Sequence, residues 1–197
     1  MADPATIYER YLKPDDLVFD IGANVGLRTA VFLAMGLRVV AVEPQPDCLA
    51  QIDERAIRVE AAAGAGAGRA TMRCCSSQNY LSTLNPEMVA LQPADYDHEI
   101  QVDVVTLDWL IDAYGEPAFA KIDVEGYELE VLQGLSRPLA ALSFEVHPFD
   151  PGKIDACLAR LHELGDYRLA YSDRESFELG PWTGEVGMFG DIYAERR

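Results

Sequence analysis

No C-x-x-C pair occurs among the four cysteines, Cys48, Cys74, Cys75 and Cys157. Only Cys74 and Cys75 are vicinal, so neither a zinc site nor a disulfide framework is expected, and reduced thiols are the simplest reading. Long apolar runs are missing too. The longest candidate, residues 30–42, is interrupted by Arg38 and falls short of the roughly 20 apolar residues a membrane span requires. Positive charge is scarce: 16 Lys and Arg stand against 33 Asp and Glu, a formal charge of -17. Such a field repels phosphate backbones and anionic bilayers, so neither nucleic acid nor membrane is an expected partner. The opening stretch MADPATIYERYLKPDD has no basic n-region and no apolar h-region, so no secretory signal is expected and the location reads as cytoplasmic. There is no repeat of fixed period, and low complexity is confined to residues 61–68.

What is present is an ordinary globular composition, 49% hydrophobic and 25% charged over 197 residues, which suits a chain that folds on its own. The organisation expected is a helical segment over 1–16 followed by one domain over 17–197. From residue 17, continuous β-branched apolar runs at 17–21, 38–42, 118–122 and 141–146 alternate with helical periodicity at 27–35, 46–54, 127–135 and 153–164. Continuous rather than alternating apolar character marks strands buried on both faces, so the fold class is α/β, a doubly wound and mostly parallel sheet. A third strand is expected at 57–62. Small strands and loops follow it instead of a crossover helix. Two further runs, 167–171 and 188–193, joined by a loop around Gly180 and Pro181, predict an antiparallel pair at the sheet edge.

Three strand ends carry chemistry. At the first, Asp20-Ile21-Gly22-Ala23-Asn24-Val25-Gly26 stands where a buried strand gives way to a helix. Glycines there let the backbone turn sharply and present N–H groups to a ligand. The second expected strand ends at Glu43, 21 residues after Gly22, the spacing at which an acidic side chain accepts hydrogen bonds from ribose hydroxyls. A dehydrogenase loop reads G-x-G-x-x-G, whereas this one reads G-x-N-x-G with Asp20 two residues before it. A carboxylate there suits a cofactor with a cationic amino-acid end, which S-adenosyl-L-methionine has and dinucleotides lack.

The next end, Lys121-Ile122-Asp123-Val124-Glu125-Gly126-Tyr127-Glu128, places Asp123 and Glu125 outside the carboxyl edge of the sheet, where ligands bind in such folds. The same two side chains would equally stabilise the positive end of the following helix. At the last, Phe144-Glu145-Val146-His147-Pro148, His147 is placed to act as a general base, although a single histidine often serves structure alone. Asp123, Glu125, Glu145 and His147 have the chemistry of a hard-metal site, but no spacing demands one and no metal is expected.

Taken in order, DIGANVG, AVEPQP, TLDWL, KIDVEGYELEVLQG and FEVHP resemble the FkbM family of S-adenosylmethionine-dependent methyltransferases, over about two-thirds of the chain. The resemblance implies a class I methyltransferase sandwich of seven strands, and methyl transfer to a hydroxyl oxygen of a sugar or natural product. It places Asp20, Gly22, Ala23, Asn24 and Gly26 around the methionine end of the cofactor, Glu43 on its ribose and Asp123 near the sulfonium. Adenine falls near Ala62, Ala63 and Gly64. Residues 65–99 follow no family pattern.

The reading is therefore a class I O-methyltransferase acting on a small molecule or glycan, with Asp123, Glu125 and His147 as candidate catalytic groups. Two alternatives stand beside it: an NAD-dependent oxidoreductase, and a non-catalytic protein that keeps the cofactor pocket. The short segment before the first strand leaves little to cover an acceptor, and a further copy of the chain in a homo-oligomer is one source of cover.

Overall fold

The computed structural model describes residues 4–91, 94–173, 177–187 and 189–197. A single turn of helix, α1 (Ala5–Tyr8), leads into strand β1 (Leu17–Ile21), helix α2 (Leu27–Ala34), strand β2 (Arg38–Val42), helix α3 (Pro46–Leu49) and strand β3 (Ile57–Val59). Three strands then form a separate unit, β4 (Ala62–Ala63), β5 (Gly68–Cys74) and β6 (His98–Val105), with a 3-10 turn at Asn79–Leu81 and helix α4 (Pro86–Leu91) between the last two. The chain continues through α5 (Leu107–Tyr114), β7 (Phe119–Ile122), α6 (Glu128–Gln133), β8 (Ala141–Val146), α7 (Pro151–Leu164), β9 (Tyr167–Asp173), β10 (Gly180–Pro181) and β11 (Gly190–Arg196).

The main sheet has the order β10-β9-β11-β8-β7-β1-β2-β3. Strands β8, β7, β1, β2 and β3 are mutually parallel, and β11 inserts antiparallel between β8 and β9. The expected α/β class and antiparallel edge are both found, but among the described residues the sheet has eight strands where the resemblance implied seven. The extra one is β10, formed where a loop was expected around Gly180 and Pro181. The last strand starts at Gly190 within the expected 188–193, and Met188 lies outside the described residues.

Other departures have local causes. The single strand expected at 57–62 is two, because the chain turns at Ala61, whose N–H bonds to the Val59 carbonyl. Its second half, β4, joins the small sheet beside β6. The helix expected over 46–54 stops at Leu49, and the segment after it proceeds by turns. Helix α7 starts two residues earlier than its periodicity suggests, because the Asp150 side chain accepts from Lys153 N at 3.2 Å and Pro151 occupies the first position.

Alternation along each strand divides the apolar side chains between two layers. Phe19, Ile21, Val42, Ile122 and Phe144 pack against α5, α6 and α7 through Leu110, Leu132 and Leu161. Val18, Val39, Phe119 and Tyr193 face the other way, onto Tyr8, Leu12 and Phe32. This second face turns polar toward the carboxyl ends of the strands, because the next residues outward are Asp20, Lys121 and Ser143. These stand side by side across β1, β7 and β8. One row further, Glu145 of β8 lies opposite Asp191 of β11.

Candidate functional site

A cavity of about 340 Å³ opens at the carboxyl ends of β1, β2 and β7, beside the point where the chain order reverses from β1–β2 to β1–β7. Crevices of open α/β sheets bind their ligands at such a reversal. Gly22, Ala23 and Asn24 line it from the glycine loop, Glu43 and Gln45 from the end of β2, Ala61, Ala62 and Ala63 from the approach to the small sheet, and Lys121, Asp123 and Glu125 from β7. Asn79, Tyr80 and Ser82, all from the connection between β5 and β6, complete the wall.

Backbone packing explains the glycine. Gly22 has φ +77, and a Cβ there would stand 1.8 Å from the Asp123 carbonyl oxygen, so only glycine lets β1 and β7 approach as they do. Glu43 organises the loop beside it. Its Oε2 accepts the Asn24 N–H at 2.8 Å and its Oε1 accepts the Gln45 N–H at 2.8 Å. Burial pushes the Glu43 carboxyl up, and these two backbone donors oppose the shift. Because each carboxylate oxygen can accept more than one bond, both retain capacity for ligand hydroxyls.

Behind the wall, Asp20 is completely buried and does not line the cavity. It accepts from the Thr29 hydroxyl at 2.6 Å, and its other oxygen stands 3.8 Å from Lys121 Nζ. Lys121 in turn donates to Asp123 at 3.0 Å. Burial presses the lysine pKa down, but the Asp123 and Asp20 carboxylates outweigh it and hold the amine above its ordinary value. Lys121 therefore remains an ammonium that fixes Asp123 at the cavity wall. Gly26 is also set back, at the start of α2.

The turn after Asp123 is held from several sides. Glu125 has φ +53 and Gly126 φ +87. A Cβ on Gly126 would lie 2.2 Å from Met88 Cγ. The Thr83 hydroxyl donates to the Glu125 carbonyl at 2.7 Å, while Asn85 Nδ2 and Lys153 Nζ donate to the Gly126 carbonyl at 2.9 and 2.7 Å. Glu128 closes the turn by accepting the Val124 and Gly126 N–H groups at 3.1 and 3.2 Å.

His147 lies outside the large cavity. It borders a second, small cavity of about 10 Å³ together with Glu145 and Glu128. Its Nε2 is 3.2 Å from a Glu145 oxygen, and its ring contacts Phe149 and Phe189 with centroids 5.1 and 5.3 Å away. Glu125 joins the two regions: it lines the large cavity, and its carboxylate belongs to a buried cluster with Glu145 and His147. The structure thus brings Gly22, Ala23, Asn24, Glu43, Ala63, Asp123 and Glu125 to one cavity and sets Asp20, Gly26 and His147 around it. Sequence reasoning passed over Lys121, whose signal was a single charged residue inside the apolar strand Phe-Ala-Lys-Ile. It also passed over Asn79, Tyr80, Ser82 and Thr83, whose segment carries no periodic pattern.

An open sheet with a glycine turn at its reversal point, an acidic residue ending the next strand and an acidic turn after β7 defines the class I, S-adenosylmethionine-dependent methyltransferases. Within that class the chain belongs to the methyltransferase FkbM domain family, which matches residues 20–169. A hexuronic acid methyltransferase, AglP of Haloferax volcanii, is 28% identical over 160 residues, a match covering 75% of this chain and 63% of that protein. This chain therefore spans less than two-thirds of that relative's length. Among solved structures, a TehB-like SAM-dependent methyltransferase from Corynebacterium glutamicum aligns at a TM-score of 0.54 and 11% identity, covering 98% of this chain and 87% of that one. A precorrin-6y methyltransferase from Geobacter metallireducens aligns at 0.52 and 15%, with the same coverage. At such identities these two likenesses concern the fold alone.

The residues fit the cofactor. Glu43 offers paired acceptors for a ribose diol, the alanines 61–63 leave room for a flat ring, and Asp123 gives a carboxylate to a cationic end. Bound there, S-adenosylmethionine supplies an electrophilic methyl group.

Proposed function

We propose that this chain transfers a methyl group from S-adenosylmethionine to a hydroxyl oxygen of a sugar, with a hexuronic acid as the first acceptor to try. The observation that carries the reading is the continuity between the cofactor cavity and the Glu125–Glu145–His147 cluster through the Glu125 side chain. The name of the AglP relative supports the acceptor class. The half-exposed Phe149 and Phe189 beside His147 offer apolar faces for the C–H side of a sugar ring.

In this reading Asn24 and the turn at Gly22 cradle the methionine end, Glu43 holds the ribose, and Ala63 lies against adenine. Asp123, fixed by Lys121, faces the sulfonium, and Asp20 acts through Lys121 and Thr29 without touching the ligand. Methyl transfer is an in-line displacement, so holding the acceptor oxygen in line with the methyl carbon does much of the work. The acceptor's proton is handled at the cluster, with His147 and Glu125 as the groups placed for it. The acidic excess of the chain disfavours a nucleic-acid acceptor.

Purified protein incubated with S-adenosylmethionine and uronic-acid oligosaccharides, followed by mass spectrometry, tests this. The expected product gains one methyl per transfer and survives mild saponification, as an ether does and an ester does not. A base-labile product would move the acceptor atom to the carboxyl group. Cofactor binding with no methylated product from any sugar would favour a non-catalytic binding protein.

A further inference from the structure

The region between the two cavities carries more negative side chains than the proposed methyl transfer uses. Glu125 borders the large cavity, Glu128 and Glu145 border the small one, and all three are buried, as is Asp191. Glu145 and Asp191 face each other across adjacent strands, an arrangement that like charges disfavour. The cations in reach are the Lys121 ammonium, which binds Asp123 and stands beside Asp20, the Lys153 ammonium, which binds the Gly126 carbonyl and stands 3.6 Å from Glu130, and the His147 ring when protonated, 3.2 Å from Glu145. Gathering buried carboxylates raises their affinity for protons and cations.

The donor geometry favours a cation. One ligand atom each from Glu125, Glu145 and His147 lies within 4.8 Å of the others, and all three residues are buried. Two donors about 2.1 Å from a metal stand about 3 Å apart at right angles and about 4 Å apart when opposed. The Glu145–His147 pair, at 3.2 Å, already has the first of these separations. The adjoining cavity of about 10 Å³ is the size of a single water or ion, and Glu145 and His147 both line it.

We propose that Glu125, Glu145 and His147 bind one divalent first-row metal ion, of the Mn²⁺ type, between the cofactor cavity and the aromatic rim. Two carboxylates and one imidazole combine the oxygen donors preferred by Mn²⁺ with the nitrogen donor preferred by later metals. Three protein ligands leave open positions. The ion's role rests on the reading of the previous subsection: placed beside Glu125, it takes an acceptor hydroxyl into an open position and favours loss of its proton to water. His147 is then a metal ligand.

The test uses the full chain freed of metal with a chelator and titrated with MnCl₂, followed by calorimetry and electron paramagnetic resonance. One Mn²⁺ per chain is expected, with spin-echo modulation from a directly bound nitrogen. Glu145→Gln and His147→Ala are expected to weaken binding at least tenfold while adenosylhomocysteine affinity and the melting temperature report an intact fold. The nitrogen signal is read on the unaltered protein, so the proposal remains testable if either variant fails to fold. Absence of stoichiometric Mn²⁺, absence of nitrogen coupling, or unchanged binding in folded variants would overturn it. Adenosylhomocysteine binding by the metal-free chain separates the two ideas. Its presence without Mn²⁺ binding defeats the metal site alone, and its absence beside Mn²⁺ binding defeats the methyltransferase reading.

Discussion

The two walls of the large cavity are built differently. The wall at Gly22 and Glu43 is made by short stretches of chain, a strand end and the turn that follows it. Its shortest hydrogen bonds run from backbone N–H groups to one carboxylate, from Asn24 and Gln45 to Glu43, while the Asn24 and Gln45 side chains donate to Asn79 and Gln45 accepts from Ser82. The wall at Asp123 and Glu125 is made by parts of the chain far apart in sequence: Lys121 reaches Asp20, Thr83 and Asn85 hold the 125–126 turn, and Glu145 and His147 approach Glu125 from the next strand. On the proposed function the first wall would take the cofactor, common to the whole class, and the second would take the acceptor, with groups gathered from several elements.

The largest effect that would break this contrast is at the seam between the walls. Gly22→Ala forces a Cβ to within 1.8 Å of the Asp123 carbonyl. It is expected to cost on the order of 3 kcal/mol in chemical denaturation and to abolish measurable adenosylhomocysteine binding. A stable variant that binds normally would show that the seam is loose.

Next comes the far wall. His147→Ala is expected to lower turnover by roughly 100-fold or more while leaving adenosylhomocysteine affinity within a few-fold. Equal losses in both quantities would mean that the walls are not separable. On the near wall, Glu43→Ala removes the acceptor of two loop N–H groups and, on the proposed function, of the ribose. It is expected to weaken adenosylhomocysteine by about tenfold or more in calorimetry, since hydrogen bonds to a charged group contribute about 1.5–3 kcal/mol. Asp123→Ala should act in the same direction by removing the carboxylate that Lys121 fixes, and an affinity equal to that of the unaltered chain would move the sulfonium elsewhere.

The smallest effect sharpens the picture of the near wall at rest. Burial, then the Glu43 carboxylate, pushes the Cys48 thiol up to about 11. Almost no thiolate exists at pH 8, so alkylation by iodoacetamide should be slower than that of free glutathione and should accelerate only as pH approaches that value. Rapid labelling at pH 8 would mean that the loop over Cys48 opens readily.

Much of the near wall was legible before any coordinates. The strands 17–21, 38–42 and 141–146 coincide with their apolar runs, because a strand buried on both faces leaves a continuous apolar signature. DIGANVG was legible because a positive-φ turn between strand and helix admits few residues. The far wall was legible only as a set of candidates. Asp123, Glu125 and His147 were picked out by their places at strand ends, but nothing along the chain says that Glu125 meets His147 while Asp123 is held by Lys121. Nor did the segment 65–99 announce that it supplies Asn79, Tyr80 and Ser82 to the cavity.

What the sequence by itself determined is therefore the layered parallel sheet, the glycine turn, the carboxylate at the end of the second strand and the family. The sheet and the turn depend on periodicity or on residues a few positions apart, and the carboxylate and the family on motifs at set spacings along the chain. What only the tertiary structure decided is the partition of the acidic side chains. Asp20 is placed behind the wall, Asp123 on it, and Glu125 with Glu145 and His147 at its far corner. That partition follows from the register of β1, β7, β8 and β11, which brings together side chains from four separate segments. Registers of this kind are fixed by the packing of the whole sheet, and no short stretch of sequence contains them.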